Sequence, residues 1–176
     1  MLGAMDLHPR YSLLHTDPEA ARAELARLAQ ASDGGREVVV VSACAAGMRC
    51  AADGGERSTP SRLAQLDALA AAGAEIVPLC PEVLGRMGVP RAALSLSADG
   101  KRVVDARGRD VTDTADAGAR LADLFVTQAK AARALLLDGT ASCGVARVPG
   151  PDGAQEGEGR FTARLKRRGL PVIAID

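Results

Sequence analysis

The sequence predicts an α/β fold with a mostly parallel sheet and an N-terminal helical extension. Three observations carry that reading. Short apolar runs recur at Val38–Val41, Glu75–Leu79 and Ala134–Leu137. Unbroken runs of this kind suit parallel strands covered on both faces. Helix-period segments separate them, so strand, helix and strand alternate. The 176 residues suffice for one domain with a real core.

Residues 1–36 read as a helical extension and 37–176 as the α/β domain. Thr16-Asp-Pro-Glu19 has the form of a capping box, with Thr16 the N-cap. The helix it starts runs through Leu25 and Leu28 to about Ala31, on the body's surface, and Ser32-Asp-Gly-Gly35 stops it. After the first strand, Thr59-Pro60 opens a helix with Pro60 at its first position. Its Leu63, Leu66 and Leu69 form an inner face, and Gly73 ends it before the strand Glu75–Leu79. Residues 81–112 are punctuated by Gly and Pro and read as irregular, with a short strand or hairpin near Arg102–Asp105. So long a loop region inside a compact domain points to function. Thr112 or Asp113 caps a third helix, whose Ala117, Leu121, Leu124 and Phe125 read as its core stripe. Residues 149–159 read as a mobile flap, and a helix with Phe161 and Leu165 precedes a last strand, Pro171–Ile175.

Composition removes several function classes. Twenty-two basic and 22 acidic residues cancel, and there are two Phe, one Tyr and no Trp. Neither an electrostatic pull toward nucleic acid nor a base-stacking platform is expected. No apolar run approaches the roughly 20 residues of a membrane span. The N-terminus lacks a secretory-signal pattern, so a cytoplasmic protein is expected. In that compartment the four cysteines are reduced thiols or metal ligands rather than disulfides.

The chemistry is concentrated at those cysteines. Cys44 and Cys80 follow predicted strands directly, and Cys143 lies a short loop beyond a third. In a parallel sheet all strand C-termini open on one edge, where ligands bind. Soft sulfur donors gathered there suit a metal or iron–sulfur centre. Cys44 and Cys50 have five residues between them, too wide for a zinc knuckle, and two small buried thiols are the plainer reading of the pair alone. Pro81 turns the chain after Cys80 and sets Glu82 beside it, as an acid or base or as a solvated turn residue. In Thr140-Ala-Ser-Cys-Gly144, Thr140 and Ser142 offer hydroxyls, and the flanking glycines permit close backbone approach to a ligand or merely a tight turn.

Taken in order, the motifs are Ser42-Ala-Cys-x-x-Gly-x-x-Cys50 with Asp53-Gly54, Val77-Pro-Leu-Cys-Pro-Glu-Val-Leu-Gly85, Val89-Pro-Arg91, Gly108-x-Asp-Val-Thr112, Ser142-Cys-Gly144 and Gly157-x-Gly-x-x-Thr-Ala163. Over about residues 37–176 the chain resembles the thiouracil desulfidase family, long grouped as a domain of unknown function. The resemblance implies a Rossmann-like three-layer fold and a [4Fe-4S] cluster on three cysteines, with one iron open to the sulfur of a thiolated pyrimidine such as 2-thiouracil. It implies a non-redox hydrolysis giving uracil and hydrosulfide. Carried over, Cys44, Cys80 and Cys143 are the cluster ligands, with Cys50 competing for the first place. Glu82 is the proton-transfer group, and Thr140 stands where the family usually has Ser. The chain departs from the family at Ala51-Ala52 (usually Arg-Tyr), at Ala92-Ala-Leu-Ser95 (usually Pro-Pro-Ala-Glu), at Thr140-Ala141 (usually Ser-Pro) and at Asp138, near a common Lys. These differences bear on the substrate more than on the cluster.

Two other classes compete: a non-catalytic sulfide- or metal-binding relative, and a structural zinc site using all four cysteines. His8 and His15 read as surface residues of the extension. Lys166-Arg-Arg168 reads as favourable charge at a helix C-terminus. Gly157-x-Gly159 lacks the strand that a dinucleotide fingerprint needs and reads as a hinge of the flap.

Overall fold

The computed structural model describes residues 18–175. Thr16, His8 and His15 therefore lie outside the described residues. The helices are α1 (Pro18–Asp33), α2 (Pro60–Ala71), α3 (Pro81–Leu84), α4 (Thr112–Gln128) and α5 (Arg160–Arg167). The strands are β1 (Val38–Ser42), β2 (Glu75–Leu79), β3 (Leu94–Leu96), β4 (Val103–Asp105), β5 (Arg133–Leu136), β6 (Arg147–Gly150), β7 (Gly153–Glu156) and β8 (Val172–Ala174). Four strands form one sheet in the order β2-β1-β5-β8, and every pair in it is parallel. Val40 stands opposite Val77 on one side and Ala134 on the other.

Alternation along β1 divides the core. Val38 and Val40 face Leu25 and Leu28 of α1, Ala122 and Val126 of α4, and Phe161 and Leu165 of α5. Val39 and Val41 face Leu66 and Ala70 of α2. Helices thus cover both faces of the sheet, giving the three layers of a Rossmann-like α/β fold. Each fully buried Leu or Val contributes roughly 1.5–3 kcal/mol. Among the described residues no helix is long and apolar enough to cross a membrane.

Local signals fix several boundaries. Thr59 caps α2, its Oγ1 accepting from the Arg62 N–H at 3.1 Å, with Pro60 in the first turn. Gly73 follows α2 with φ 101°, a conformation that favours glycine.

Four expectations need correction. The stripe on α4 is partly out of phase: Phe125 packs half-buried against the core, but the helix buries Ala115, Gly118, Ala119, Ala122 and Val126, and Leu124 is 48% exposed. Small residues face inward because α4 lies against α3 so closely that a Cβ on Gly118 would come within 2.1 Å of the Pro81 carbonyl oxygen. Its N-cap is Val111, without a side-chain bond; Thr112 Oγ1 instead accepts from the Val103 N–H and donates to Asp110. Residues 149–159 are largely the hairpin β6–β7 rather than a free flap. Val148 is buried, and Gln155 Nε2 donates to the Ser97 carbonyl at 3.1 Å. Finally, the region 81–112 holds the helix α3 besides the expected short strand near Arg102–Asp105, which is β4, paired antiparallel with β3. Elements this short leave little periodicity to read.

Candidate metal centre and active site

The strand order gathers the cysteines. Cys80 directly follows β2, Cys44 comes two residues after β1, and Cys143 lies in the loop after β5. These are three adjacent parallel strands, so the three loops meet at one edge. There they enclose a cavity of about 290 Å³ lined by all four cysteines, Glu82 and Thr140. All four thiols are free.

The first loop folds back on itself. The Met48 N–H donates to the Ala43 carbonyl and the Arg57 N–H to the Cys44 carbonyl, at 3.0 and 2.8 Å. This turn carries Cys50 into the cavity. The Cys50 thiol hydrogen-bonds with both Cys44 and Cys80, which together with burial holds its pKa far above the usual thiol value. The same bond lowers the pKa of Cys44, against burial and the charge of Glu82 and with help from Arg57.

Pro81 starts the one-turn helix α3 and sets Glu82 beside Cys80. The Cys80 thiol donates to Glu82 Oε2 at 3.2 Å. Arg91 Nη2 stands 3.7 Å from the same oxygen. Both side chains are nearly enclosed, at 12% and 9% exposure.

The third loop is built from its backbone. Thr140 Oγ1 accepts from the Cys143 N–H at 2.9 Å, and Thr162 Oγ1 donates to the Cys143 carbonyl at 2.8 Å. Gly159, the N-cap of α5, approaches so closely that a Cβ there would lie 2.4 Å from the Ser142 carbonyl. Gly159 is thus a packing contact and not a hinge. Burial raises the Cys143 pKa well above the ordinary thiol value, as does the Glu82 charge, partly offset by a hydrogen bond with Ser42.

The structure therefore brings together Cys44, Cys50, Cys80, Cys143, Glu82 and Thr140, but not Ser142. Ser142 is buried beneath α5, its carbonyl accepting from the Phe161 N–H at 2.9 Å, and it is not part of the cavity wall. Ser42 and Arg91 line the cavity instead. Both stand inside the sequence motifs, Ser42 two residues before Cys44 and Arg91 in Val89-Pro-Arg91, but nothing in the sequence shows that their side chains turn inward.

The donor set discriminates between metals. Among the described residues no group of three or more His, Cys, Asp or Glu is placed to hold a metal ion. The four thiols line one cavity, and Cys50 hydrogen-bonds with two of the others. Soft thiolates gathered in one cavity fit a multi-iron sulfur centre.

Comparison with known proteins agrees. No curated protein sequence matches the chain. A solved structure described as a [4Fe-4S]-dependent thiouracil desulfidase, TudS, matches with a TM-score of 0.70 at 36% identity, over 79% of this chain and 91% of that one. A family model for 2-thiouracil desulfurase matches residues 39–176, which span all of the sheet but Val38 and all three cysteine loops. The chain belongs to the 2-thiouracil desulfurase family.

Proposed function

We propose that this chain hydrolyses the C–S bond of a thiolated pyrimidine such as 2-thiouracil, with a [4Fe-4S] cluster held by Cys44, Cys80 and Cys143. One observation carries the reading: thiols from three adjacent strand ends and a carboxylate line a single cavity. When bound, such a cluster with one iron left open supplies a Lewis acid with affinity for sulfur. The cavity offers apolar walls such as Ala51, Ala93, Leu94 and Pro149 to a flat ring. Glu82 Oε2 takes a proton from the attacking water. Water's oxygen replaces sulfur on the ring carbon, and sulfur leaves as hydrosulfide, with no oxidant or reductant consumed. Thr140 Oγ1 accepts from the Cys143 N–H, which leaves its own O–H proton for an acceptor in the cavity. Ser142 positions Cys143 through its backbone rather than touching substrate. The substrate is a small molecule rather than nucleic acid, and the reaction belongs in the cytoplasm, where thiols stay reduced.

Anaerobic reconstitution should give a brown protein with about four iron and four sulfide per chain. With 2-thiouracil it should release uracil and sulfide. Cys80→Ala and Cys143→Ala should lose the iron, whereas Cys50→Ala should keep it. Glu82→Gln should keep the colour and lose about 10²–10⁴-fold in turnover. A loaded protein that desulfurises no thiopyrimidine would instead be a metal- or sulfide-binding relative, and about one zinc per chain would indicate a structural site.

A further inference from the structure

The Val89-Pro-Arg91 motif has no part in the reaction as written, yet its arginine lines the cavity. The side chain of Arg91 is 9% exposed, against 41% for Arg57, the other arginine in the wall. Its partners occupy only part of the guanidinium. Nη1 donates to the Cys50 carbonyl at 3.0 Å and to the Gly88 carbonyl at 3.1 Å. Nη2 stands 3.7 Å from Glu82 Oε2, an ion-pair distance beyond hydrogen-bond range. The buried Nε has no hydrogen-bond partner among the described residues. A buried donor without an acceptor costs free energy until something supplies one. A few such groups in a mostly apolar pocket are what orient a ligand.

The backbone holds this arginine in place, with the Arg91 N–H donating to the Ala52 carbonyl at 2.8 Å. Glu82 holds it as well. Around them, Ala51, Ala52, Ala93, Leu94 and Pro149 offer no side-chain donor. A thiopyrimidine with its sulfur at the cysteines turns its ring carbonyl toward another part of the cavity, where Arg91, Arg57 and Thr140 are side-chain donors and Arg91 is the more enclosed of the two arginines.

We propose that Arg91 determines specificity. Its guanidinium donates to the ring carbonyl oxygen of an oxo-thiopyrimidine, so the chain selects such rings over thiones that lack the oxygen. This rests on the desulfidase reading above.

The test compares 2-thiouracil with pyrimidine-2-thione on reconstituted wild type, Arg91→Met, Arg91→Gln and Arg91→Lys. Wild type should favour 2-thiouracil in kcat/KM by about 10–100-fold, as for a hydrogen bond from a charged donor. Arg91→Met and Arg91→Gln should lose that preference, and Arg91→Lys should recover part of it. The preference is a ratio within each protein, so a partly folded or partly loaded variant still reports it. A calorimetric titration gives a reading independent of turnover. Uracil should bind Arg91→Met about 10–100-fold more weakly than wild type, while pyrimidin-2-one should bind both alike. If the variants keep the wild-type preference, or bind uracil as tightly, the assignment is overturned. A wild type that turns over both thiones equally defeats this assignment alone. A wild type that turns over neither defeats the desulfidase reading and this inference with it.

Discussion

Asp138 shows how one carboxylate builds a ligand loop. Its Oδ1 accepts N–H groups from Val145, Ala146 and Arg147 at 2.7, 3.0 and 2.9 Å, closing the chain around Cys143. Burial pushes its carboxyl up, but the N–H groups of Ala146, Arg147, Val145 and Gly139 outweigh it and hold the pKa well below the usual carboxylate range. A group with a depressed folded pKa contributes stability that is complete above its unfolded value of about 3.9. That contribution fades as pH falls from there through the folded value. Asp138→Ala should cost about 2–4 kcal/mol in chemical denaturation at neutral pH and lower the iron bound per chain. The melting difference between wild type and Asp138→Asn should narrow below about pH 4. A gap that stays constant into acid would mean that the charge is not what closes the loop. The sequence marked Asp138 only as a departure from the family pattern, because its partners are backbone groups seven to nine residues away. Cys44, Cys80 and Cys143 were legible because a strand end is itself a position in space. Ser142 does not line the cavity, because adjacency to Cys143 does not fix which way a side chain turns.

Among the elements, α3 is the short link between sheet and chemistry, since it carries Glu82 directly after Cys80. It is held by α4, and the contact depends on Gly118. A Cβ at that position would lie 2.1 Å from the Pro81 carbonyl oxygen and 2.9 Å from the Gly85 nitrogen, both backbone atoms that cannot rotate aside. Gly118→Ala must therefore part the two helices. We expect a loss of at least about 1–3 kcal/mol, the usual cost of overpacking, and a fall in turnover greater than the fall in iron content, because Glu82 moves with α3. Turnover per iron equal to wild type would show that α3 is not held by this contact. The same packing explains why the α4 period was readable but its phase was not. Leu121, Leu124 and Phe125 draw the eye as a core stripe, but the close approach of α3 demands Gly and Ala on the inner face. The runs that became β1, β2 and β5 were plain because both faces of each are covered, leaving no polar alternation to blur them. The hairpin β6–β7 was hidden by its Pro- and Gly-rich composition, since its register comes from cross-strand pairing such as Val148 with Gln155 and not from apolar periodicity.

For the whole molecule, the question is whether the helix before the family-matched region belongs to the folding unit. The family match begins at residue 39, yet α1 is fastened to the rest of the fold in three ways. Leu25 and Leu28 lie in the same core cluster as Val38, Val126 and Phe161, with Leu28 fully buried. Arg27 in α1 and Arg36 just beyond it both pair with Glu75 at the start of β2, at 3.0 and 2.6 Å. Asp33 pairs with Lys130 beyond the end of α4. A helix fastened by both apolar and ionic contacts to β2, β1 and α4 should unfold with them. Surface ion pairs are individually weak, so the buried leucine is the sharper probe. Leu28→Ala should lower global stability by about 2–5 kcal/mol, whereas Leu124→Ala, at a half-exposed position, should change it by no more than about 0.5 kcal/mol. Denaturation followed by circular dichroism should show one transition for both variants, and amide exchange in α1 should track that in β1. If Leu28→Ala instead melts α1 in a separate early step, leaving the midpoint of the sheet unchanged, α1 is an appendage and the folding unit begins at β1. The outcome also bears on the cavity, because Leu28 packs in one core with Leu79 and Cys143. A helix that steadies this face of the sheet therefore steadies the strand ends that present the thiols.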